Sequence, residues 1–150
     1  MSLSNQNPTP CEMQNCKVAL QVDELVPSNV EAISPVVEKL MKVINESDCA
    51  PKEPFDVETA LREALANAVI HGNHKDPNKK VRICCTCEPD HGLLIIVKDE
   101  GDGFDPANIP SPLAGQNLYM DHGRGVFLIN QLMDAVEYRN HGTEIHMHKS

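Results

Sequence analysis

Glu63-Ala-Leu-Ala-Asn67 is the most informative segment of this chain, and Asp99-Glu-Gly101-Asp-Gly103 is the second. A helix places Glu63 and Asn67 on one face, one turn apart. A carboxylate that can accept a proton then lies beside an amide oxygen that can bind a hard cation such as Mg²⁺. Asp99 follows an apolar strand, and the two glycines after it let the backbone turn sharply and approach a ligand. Together the two segments indicate a nucleotide site.

The length and composition indicate one domain of 150 residues with a mainly aliphatic core, because 41% of the residues are hydrophobic and only 3% aromatic. The formal charge of −9 argues against nucleic acid as a partner, since phosphate neutralisation needs clustered Lys and Arg. No apolar run approaches the roughly 20 residues of a membrane span. The N-terminus lacks a signal-peptide apolar region. We therefore expect a cytoplasmic protein with a flexible tail over residues 1–15 and one domain over residues 16–150.

The first half of the domain predicts a strand and two helices. Residues 17–22 alternate like a strand, and Ser28 has capping-box spacing to Glu31. Pro35 either kinks the helix that follows or starts it. Asp56 is the expected cap of a second helix, which runs to about residue 73. The first helix is predicted from apolar residues at helical intervals, namely Val30, Ile33, Val37, Leu40 and Ile44.

The second half predicts two hairpins around an irregular segment and a helix. Residues 80–88 and 93–99 read as strands joined by a turn, and Cys85 and Cys87 fit there as small buried hydrophobes, with thiols kept reduced. Residues 104–122 lack any period, and such stretches are typical of lids. A helix beginning near Gly123 and strands over residues 135–138 and 143–148 complete an α+β two-layer sandwich. Its sheet is expected to be mixed but mostly antiparallel, with the helices on one face.

Three histidines near the C-terminus could in principle bind a metal ion together, namely His141, His146 and His148. Strand alternation, however, puts His146 and His148 on one face with Glu144. A solvated edge of the sheet explains this pattern, and we favour that interpretation over metal binding.

The motifs resemble those of the ATP-binding domain shared by gyrase B, Hsp90, histidine kinases and MutL (the Bergerat fold). Within that superfamily, residues 16–148 most resemble the anti-sigma-factor serine kinases of bacterial partner switches. Glu63-x-x-x-Asn67-Ala68-x-x-His71-Gly72 is similar to the family's N box. The resemblance implies that Asn67 binds Mg²⁺ bridging the nucleotide phosphates and that Glu63 is the general base toward the accepting hydroxyl.

Two further motifs resemble the adenine side of the family's site. Asp99-x-Gly101-x-Gly103 is similar to the first glycine box, which implies that Asp99 accepts a hydrogen bond from the adenine amino group. The glycines Gly101 and Gly103 then let the backbone skirt the base. Gly142-Thr143 is similar to the last and weakest box, where the Thr143 hydroxyl would help hold Asp99 or a water beside adenine.

The segment Gly123-Arg124-Gly125 resembles the second glycine box. A helix N-terminus directs free N–H groups and a partial positive charge at an anion, which suits phosphate. The side chain of Arg124 either adds charge to the phosphates or faces solvent, and the sequence leaves both open. The chain departs from histidine kinases at Ile70, where they carry a basic residue, and in its short lid.

The resemblance implies an ATP- and Mg²⁺-dependent serine/threonine kinase that phosphorylates a small anti-sigma-factor antagonist. It also implies a second partner, such as a sigma factor, and family members often form homodimers. The alternative is a non-catalytic nucleotide-binding module that sequesters its partners without phosphorylating them. Glu63 favours the kinase, because a pure binder needs no base at that position.

Overall fold

The computed structural model describes residues 20–88, 90–103 and 121–150, and for residues 121–124 it describes the backbone alone. The predicted tail over residues 1–15 and nearly all of the predicted lid over 104–122 lie outside these residues. Within the described part of the chain, every helix is too short or too polar to cross a bilayer.

In the part of the chain that the structure describes, five antiparallel strands form one sheet in the order β1-β2-β3-β5-β4. The predicted α+β fold is confirmed, although every pairing among the described strands is antiparallel, so that part of the sheet is not mixed. The first strand lies later than predicted. The strands are β1 Leu20–Pro27, β2 Lys80–Glu88, β3 Gly92–Lys98, β4 Ala135–Arg139 and β5 Glu144–Lys149.

Within the described residues, three α-helices supply the second layer: α1 Ile33–Asn45, α2 Pro54–Ala66 and α3 Asp121–Leu132. A 3₁₀ turn, Val30–Ala32, precedes α1, and a π-helix, Asn67–Gly72, continues α2. The buried core is built from these helices and from one face of the sheet. The helices therefore cover one side of the sheet, as a two-layer sandwich requires.

The start of the first helical segment differs from the prediction at its cap. Asn29, not Ser28, is the cap, because its Oδ1 accepts from the Ala32 N–H at 2.8 Å. Ser28 is buried, and its Oγ donates to the Lys79 carbonyl at 2.6 Å. Pro35 lies in the first turn of α1, where a missing N–H costs nothing, so it accompanies the helix start and does not kink the helix.

The start of α2 also corrects the expected cap. The helix begins at Pro54, and no side chain caps it. Asp56 lies inside the first turn, where its negative charge interacts favourably with the positive end of the helix dipole. Proline at the first helical position fixes φ in the helical range, which gives α2 a start without a capping oxygen.

The cysteines of β2 follow the alternation of the strand, so Cys85 and Cys87 are buried as predicted. Burial raises the pKa of the Cys85 thiol to about 12. The expectation that the thiols are all reduced is wrong at one place, because Cys87 is joined to Cys49 by a disulfide. Cys84 has CxxC spacing to Cys87, but strand alternation turns it to the opposite face.

His146 and His148 lie on one face of β5, as the alternation predicts, while Ile145 and Met147 are buried on the other. The predicted location at an edge is wrong, because β5 pairs with both β3 and β4. His146 Nε2 lies 3.0 Å from Glu144 Oε1. Within the described residues, no group of three His, Cys, Asp or Glu side chains could hold a metal ion.

Candidate nucleotide-binding site

A cavity of about 210 Å³ lies between the helical layer and the sheet. Asn67, Asp99 and Thr143 line it from three different elements: the π-helix, the turn after β3 and the hairpin before β5. Pockets for drug-sized ligands usually measure roughly 300–1,000 Å³. The space that the described residues enclose therefore suits a nucleotide base better than a whole nucleoside triphosphate.

The π-helix places several side chains on the wall of this cavity. Its end is marked by the bond from the Asn73 N–H to the Ala68 carbonyl at 2.8 Å, which spans five residues instead of four. The wider turn brings Asn67, His71 and Gly72 to the cavity together. Single π turns inside α-helices occur frequently at functional sites. The prediction of one continuous helix to residue 73 gave its length correctly and missed this change of helix type.

The Asp99 turn packs against the end of the π-helix without a gap. A β-carbon at Gly72 would collide with the Asp99 carboxylate, and one at Gly101 would collide with the Gly72 carbonyl. Gly103 has φ +85°, and a β-carbon there would collide with the His141 carbonyl. The glycines therefore allow a close approach of backbone to backbone. The predicted role of Gly101 and Gly103, to let the backbone skirt the adenine base, stays a prediction.

The carboxylate of Asp99 is held by its neighbours and kept partly away from water. The Gly101 N–H donates to Asp99 Oδ1 at 2.8 Å, and the Asp99 N–H donates to the Thr143 carbonyl at 2.9 Å. Burial raises the pKa of this carboxyl, and the Gly101 N–H and the charges of Lys79 and His74 oppose the shift. A half-buried carboxylate with one oxygen still available is a strong acceptor for a ligand amino group.

Glu63 lies beside the cavity and not in its described lining. A β-carbon at Gly125, near the start of α3, would lie 3.1 Å from Asn67 Nδ2, 3.2 Å from Asn67 Oδ1 and 3.2 Å from Glu63 Oε2. The carboxylate and the amide thus converge on one point beside Gly125. The Asn67 amide oxygen is a hard ligand of the kind that Mg²⁺ prefers, so Asn67 fits a bound magnesium ion. The Glu63 carboxylate next to it is available as a proton acceptor.

The second glycine box lies in the first turn of α3, which begins at Asp121, two residues before the predicted start near Gly123. Gly123 and Arg124 belong to this turn. The side chain of Arg124 lies outside the described part of the structure, so both predicted roles for it stay open. Gly125 is buried against Glu63 and Asn67, which brings this turn to the same corner of the site.

Thr143 lines the cavity, but its hydroxyl is engaged elsewhere. Its Oγ1 donates to the Asn140 carbonyl at 2.8 Å. The contact to Asp99 is instead made by the Thr143 carbonyl. The hydroxyl oxygen keeps its lone pairs as acceptors, so the predicted role toward a water beside adenine stays a prediction.

Comparison with known proteins assigns the fold and the family. A model of the histidine kinase-like ATPase domain matches residues 26–149. The chain belongs to this ATPase-domain family. Four of the five strands and all three helices described above fall inside the matched range, and β1 overlaps it only in its last two residues.

The chain is similar to bacterial proteins named as an anti-sigma factor and as serine-protein kinases. The anti-sigma F factor of Oceanobacillus iheyensis is 33% identical over 112 residues, which cover 71% of this chain and 75% of that protein. The serine-protein kinase RsbW of Bacillus subtilis is 31% identical over 126 residues, covering 80% of this chain and 78% of that protein. RsbW of Staphylococcus epidermidis is 28% identical over 135 residues, covering 85% of each.

Two residues at the ATPase-domain site were missed from the sequence. Tyr138 lines the cavity from β4, and burial raises the pKa of its hydroxyl. Strand alternation in the sequence was a usable signal for this position. In the structure Tyr138 pairs with the apolar Ile145, and its side chain faces the helices. Asn73 is completely buried behind the Asp99 turn, and the sequence gave no local sign of that.

Proposed function

We propose that this protein is an ATP-dependent serine/threonine kinase of the anti-sigma-factor type, acting on a small antagonist protein in a bacterial partner switch. The observation that carries the proposal is the convergence of Glu63, Asn67 and Asp99 at one site, in a chain whose relatives are named serine-protein kinases and anti-sigma factors. In such a site the purine base lies against Asp99, and the phosphates extend toward Asn67 and the first turn of α3.

The chemistry assigned to the chain is general-base catalysis with electrostatic support. The serine or threonine oxygen of the antagonist attacks the γ-phosphorus, the bond to the ADP oxygen breaks, and the hydroxyl proton passes to Glu63. Asn67 would hold Mg²⁺, which neutralises phosphate charge when it is bound. Backbone N–H groups of the first turn of α3 add a partial positive charge at the phosphates.

The partners follow from the same proposal. The antagonist is the phosphate acceptor, and a sigma factor or a related regulator is the protein held when the antagonist is phosphorylated. The sheet face turned away from the helices carries half-buried Leu94 and Ile96, which supports contact with a second copy of the chain. A partner switch of this kind acts where transcription does, so we place the protein in the cytoplasm.

The alternative is a nucleotide-gated module that binds the same partners without phosphorylating them. Glu63 separates the two functions, because it lies 3.2 Å from the position that a Gly125 β-carbon would take, next to Asn67. A base at that point serves proton transfer, whereas a pure binder gains nothing from it.

Transfer of phosphate to the cognate antagonist tests the proposal. The protein is incubated with Mg-ATP and the antagonist, and phosphoserine or phosphothreonine is measured by mass spectrometry. Glu63→Gln should keep ATP affinity within about twofold and lower the transfer rate at least about 100-fold, since general-base catalysis supplies roughly 10²–10⁴. Glu58→Gln is the matched control, because Glu58 lies on the same helix and pairs with Arg62 at the surface. An unchanged transfer rate in Glu63→Gln would contradict the role of Glu63 as the base. A wild-type protein that binds ATP and the antagonist but transfers no phosphate would favour the alternative.

A further inference from the structure

Asn73 follows the π-helix directly, and its side chain is completely buried. Its Nδ2 donates to Ser28 Oγ at 2.8 Å and to the Lys80 carbonyl at 3.0 Å. Its Oδ1 accepts from the Glu100 N–H at 2.7 Å. The carboxamide therefore forms three hydrogen bonds inside the protein, and both of its donor hydrogens are used.

These bonds join three segments that are far apart in sequence: the end of β1, the start of β2 and the turn after Asp99. Ser28 is buried as well, and its Oγ passes the connection on to the Lys79 carbonyl. The Glu100 carboxylate adds a second tie, because its Oε2 accepts from the Lys80 N–H at 2.6 Å. Both the backbone and the side chain of the residue after Asp99 are thus fixed to the sheet.

We propose that Asn73 is a positioning residue for base recognition: it holds the backbone of Glu100, and thereby the adjacent Asp99 carboxylate, in the orientation that selects adenine over guanine. The inference rests on the proposed function, because Asp99 selects a base only in a protein that binds nucleotides. Hydrogen bonds weaken steeply as their angle departs from linear. A small rotation of the turn therefore weakens the bond from Asp99 to the base without unfolding the site.

The packing on the other side of the turn explains why this tie is needed. Gly72 and Gly101 approach Asp99 and each other closely, so they limit movement of the turn toward the π-helix. Contacts of this kind keep the turn from moving closer to the π-helix, but they do not keep it from moving away. The bond from Glu100 to Asn73 opposes movement in the other direction, away from the helix, because breaking it leaves a buried amide oxygen without its donor.

A purely structural role for Asn73 predicts a different result from a positioning role. A destabilised protein has fewer folded molecules, yet each folded molecule binds ATP with the wild-type Kd. Titration calorimetry then reports a lower stoichiometry and an unchanged Kd. A positioning role changes the Kd of the folded protein for ATP, and it changes the ratio of the Kd values for GTP and ATP.

The test compares Asn73→Ala, Ser28→Ala and Ser47→Ala in the full chain, by calorimetry with Mg-ATP and Mg-GTP well below the unfolding temperature. Ser47 is the matched control, because its Oγ also donates to a backbone carbonyl at 2.6 Å, that of Ile44, at the end of α1. We expect Asn73→Ala to raise the Kd for ATP about tenfold, the equivalent of losing one good hydrogen bond. Its Kd for GTP should change little.

Ser28→Ala should raise the Kd for ATP about threefold, because it removes one of the three bonds of the carboxamide. Ser47→Ala should leave both Kd values unchanged. If Asn73→Ala does not fold, the difference between Ser28→Ala and Ser47→Ala decides alone. Equal Kd values and equal GTP-to-ATP ratios in all folded variants would overturn the inference while leaving the proposed function intact. A wild-type protein that binds neither nucleotide, or both equally, would overturn the adenine role and this inference together.

Discussion

Replacing Gly72 by alanine should place a methyl group against the Asp99 carboxylate. The backbone of Gly72 is helical, so alanine itself is tolerated there, and the three heavy atoms nearest to the added β-carbon all belong to the Asp99 carboxylate. The carboxylate must rotate, and it then loses the 2.8 Å bond from the Gly101 N–H. The perturbation is thus confined to one pair of residues.

The expected free energies follow from these contacts. Overpacking of this size costs about 1–3 kcal/mol, while alanine in place of glycine in a helix returns about 1 kcal/mol. Gly72→Ala alone should therefore lower the free energy of unfolding by about 1 kcal/mol. In an Asp99→Ala background the collision is absent, so the same change should raise the free energy of unfolding by up to about 1 kcal/mol. The interaction energy between the two positions is then about 2 kcal/mol.

Urea unfolding followed by far-ultraviolet circular dichroism measures all four proteins of this cycle. A parallel cycle with Asp102→Ala, an exposed residue of the same turn, should be additive and serves as control. Calorimetry should show that Gly72→Ala weakens ATP binding at least about tenfold, because the acceptor has moved. A cost for Gly72→Ala that is equal with and without the Asp99 carboxylate would refute the contact on which the site is built.

Two further predictions concern ionised side chains. The pKa of Asp99 is raised by burial, so the folded protein binds this proton more tightly than the unfolded chain, and the ionised carboxylate costs stability at neutral pH. At neutral pH, the free energy of unfolding of Asp99→Asn should therefore be at least that of the wild type, and higher by up to about 0.5–1 kcal/mol. Its ATP affinity should be lower than that of the wild type. Calorimetry of the wild type should show ATP affinity falling with acid at a pH above the ordinary carboxyl pKa, and Asp99→Asn should lack that loss. Lys149→Met should lower the free energy of unfolding in urea by about 1–2 kcal/mol without changing the Kd for ATP, because the buried Nζ donates to the Leu132 carbonyl at the end of α3 at 2.7 Å; unchanged stability would contradict this.

The elements of the fold could be predicted because their periods are strong and local. The apolar face of α2 and the alternation of β2 and β3 each repeat over two turns or more of helix or over a full strand. The bounds of β2 match the prediction, and those of α2 and β3 differ from it by one to three residues. The type of each element is set by its own residues, and so the sequence was sufficient for the two-layer architecture.

The caps could not be predicted, since local sequence offers competing oxygens. Ser28 and Asn29 are both good capping residues. Asn29 becomes the cap because Ser28 Oγ has a partner 51 residues away, the Lys79 carbonyl. The disulfide from Cys49 to Cys87 has the same origin. Its two residues are 38 positions apart, and only the packing of the loop after α1 against β2 brings them together.

The motifs identified the residues of the candidate site, but only the topology of the fold shows that they lie close together. Asn67 and Asp99 are 32 positions apart in the sequence and line one cavity because the end of the π-helix packs against the turn after β3. The π turn and Asn73 were missed because each depends on the Asp99 turn being in place. Neither has a pattern of its own that a single sequence can show.

The features that cost this protein stability are concentrated at the candidate site. A half-buried carboxylate with a raised pKa, glycines in a helical turn and a π-helix are each less stable than their ordinary alternatives. A chain under selection for stability alone would replace Asp99 by alanine, after which alanine at Gly72 would meet no carboxylate. The Asp99 turn is instead held in place by the buried Asn73 network. A ligand that binds only the folded state offsets such costs, by about 2.7 kcal/mol at 100 times its Kd. Nucleotide binding therefore explains the cavity, these stability costs and the Asn73 network together.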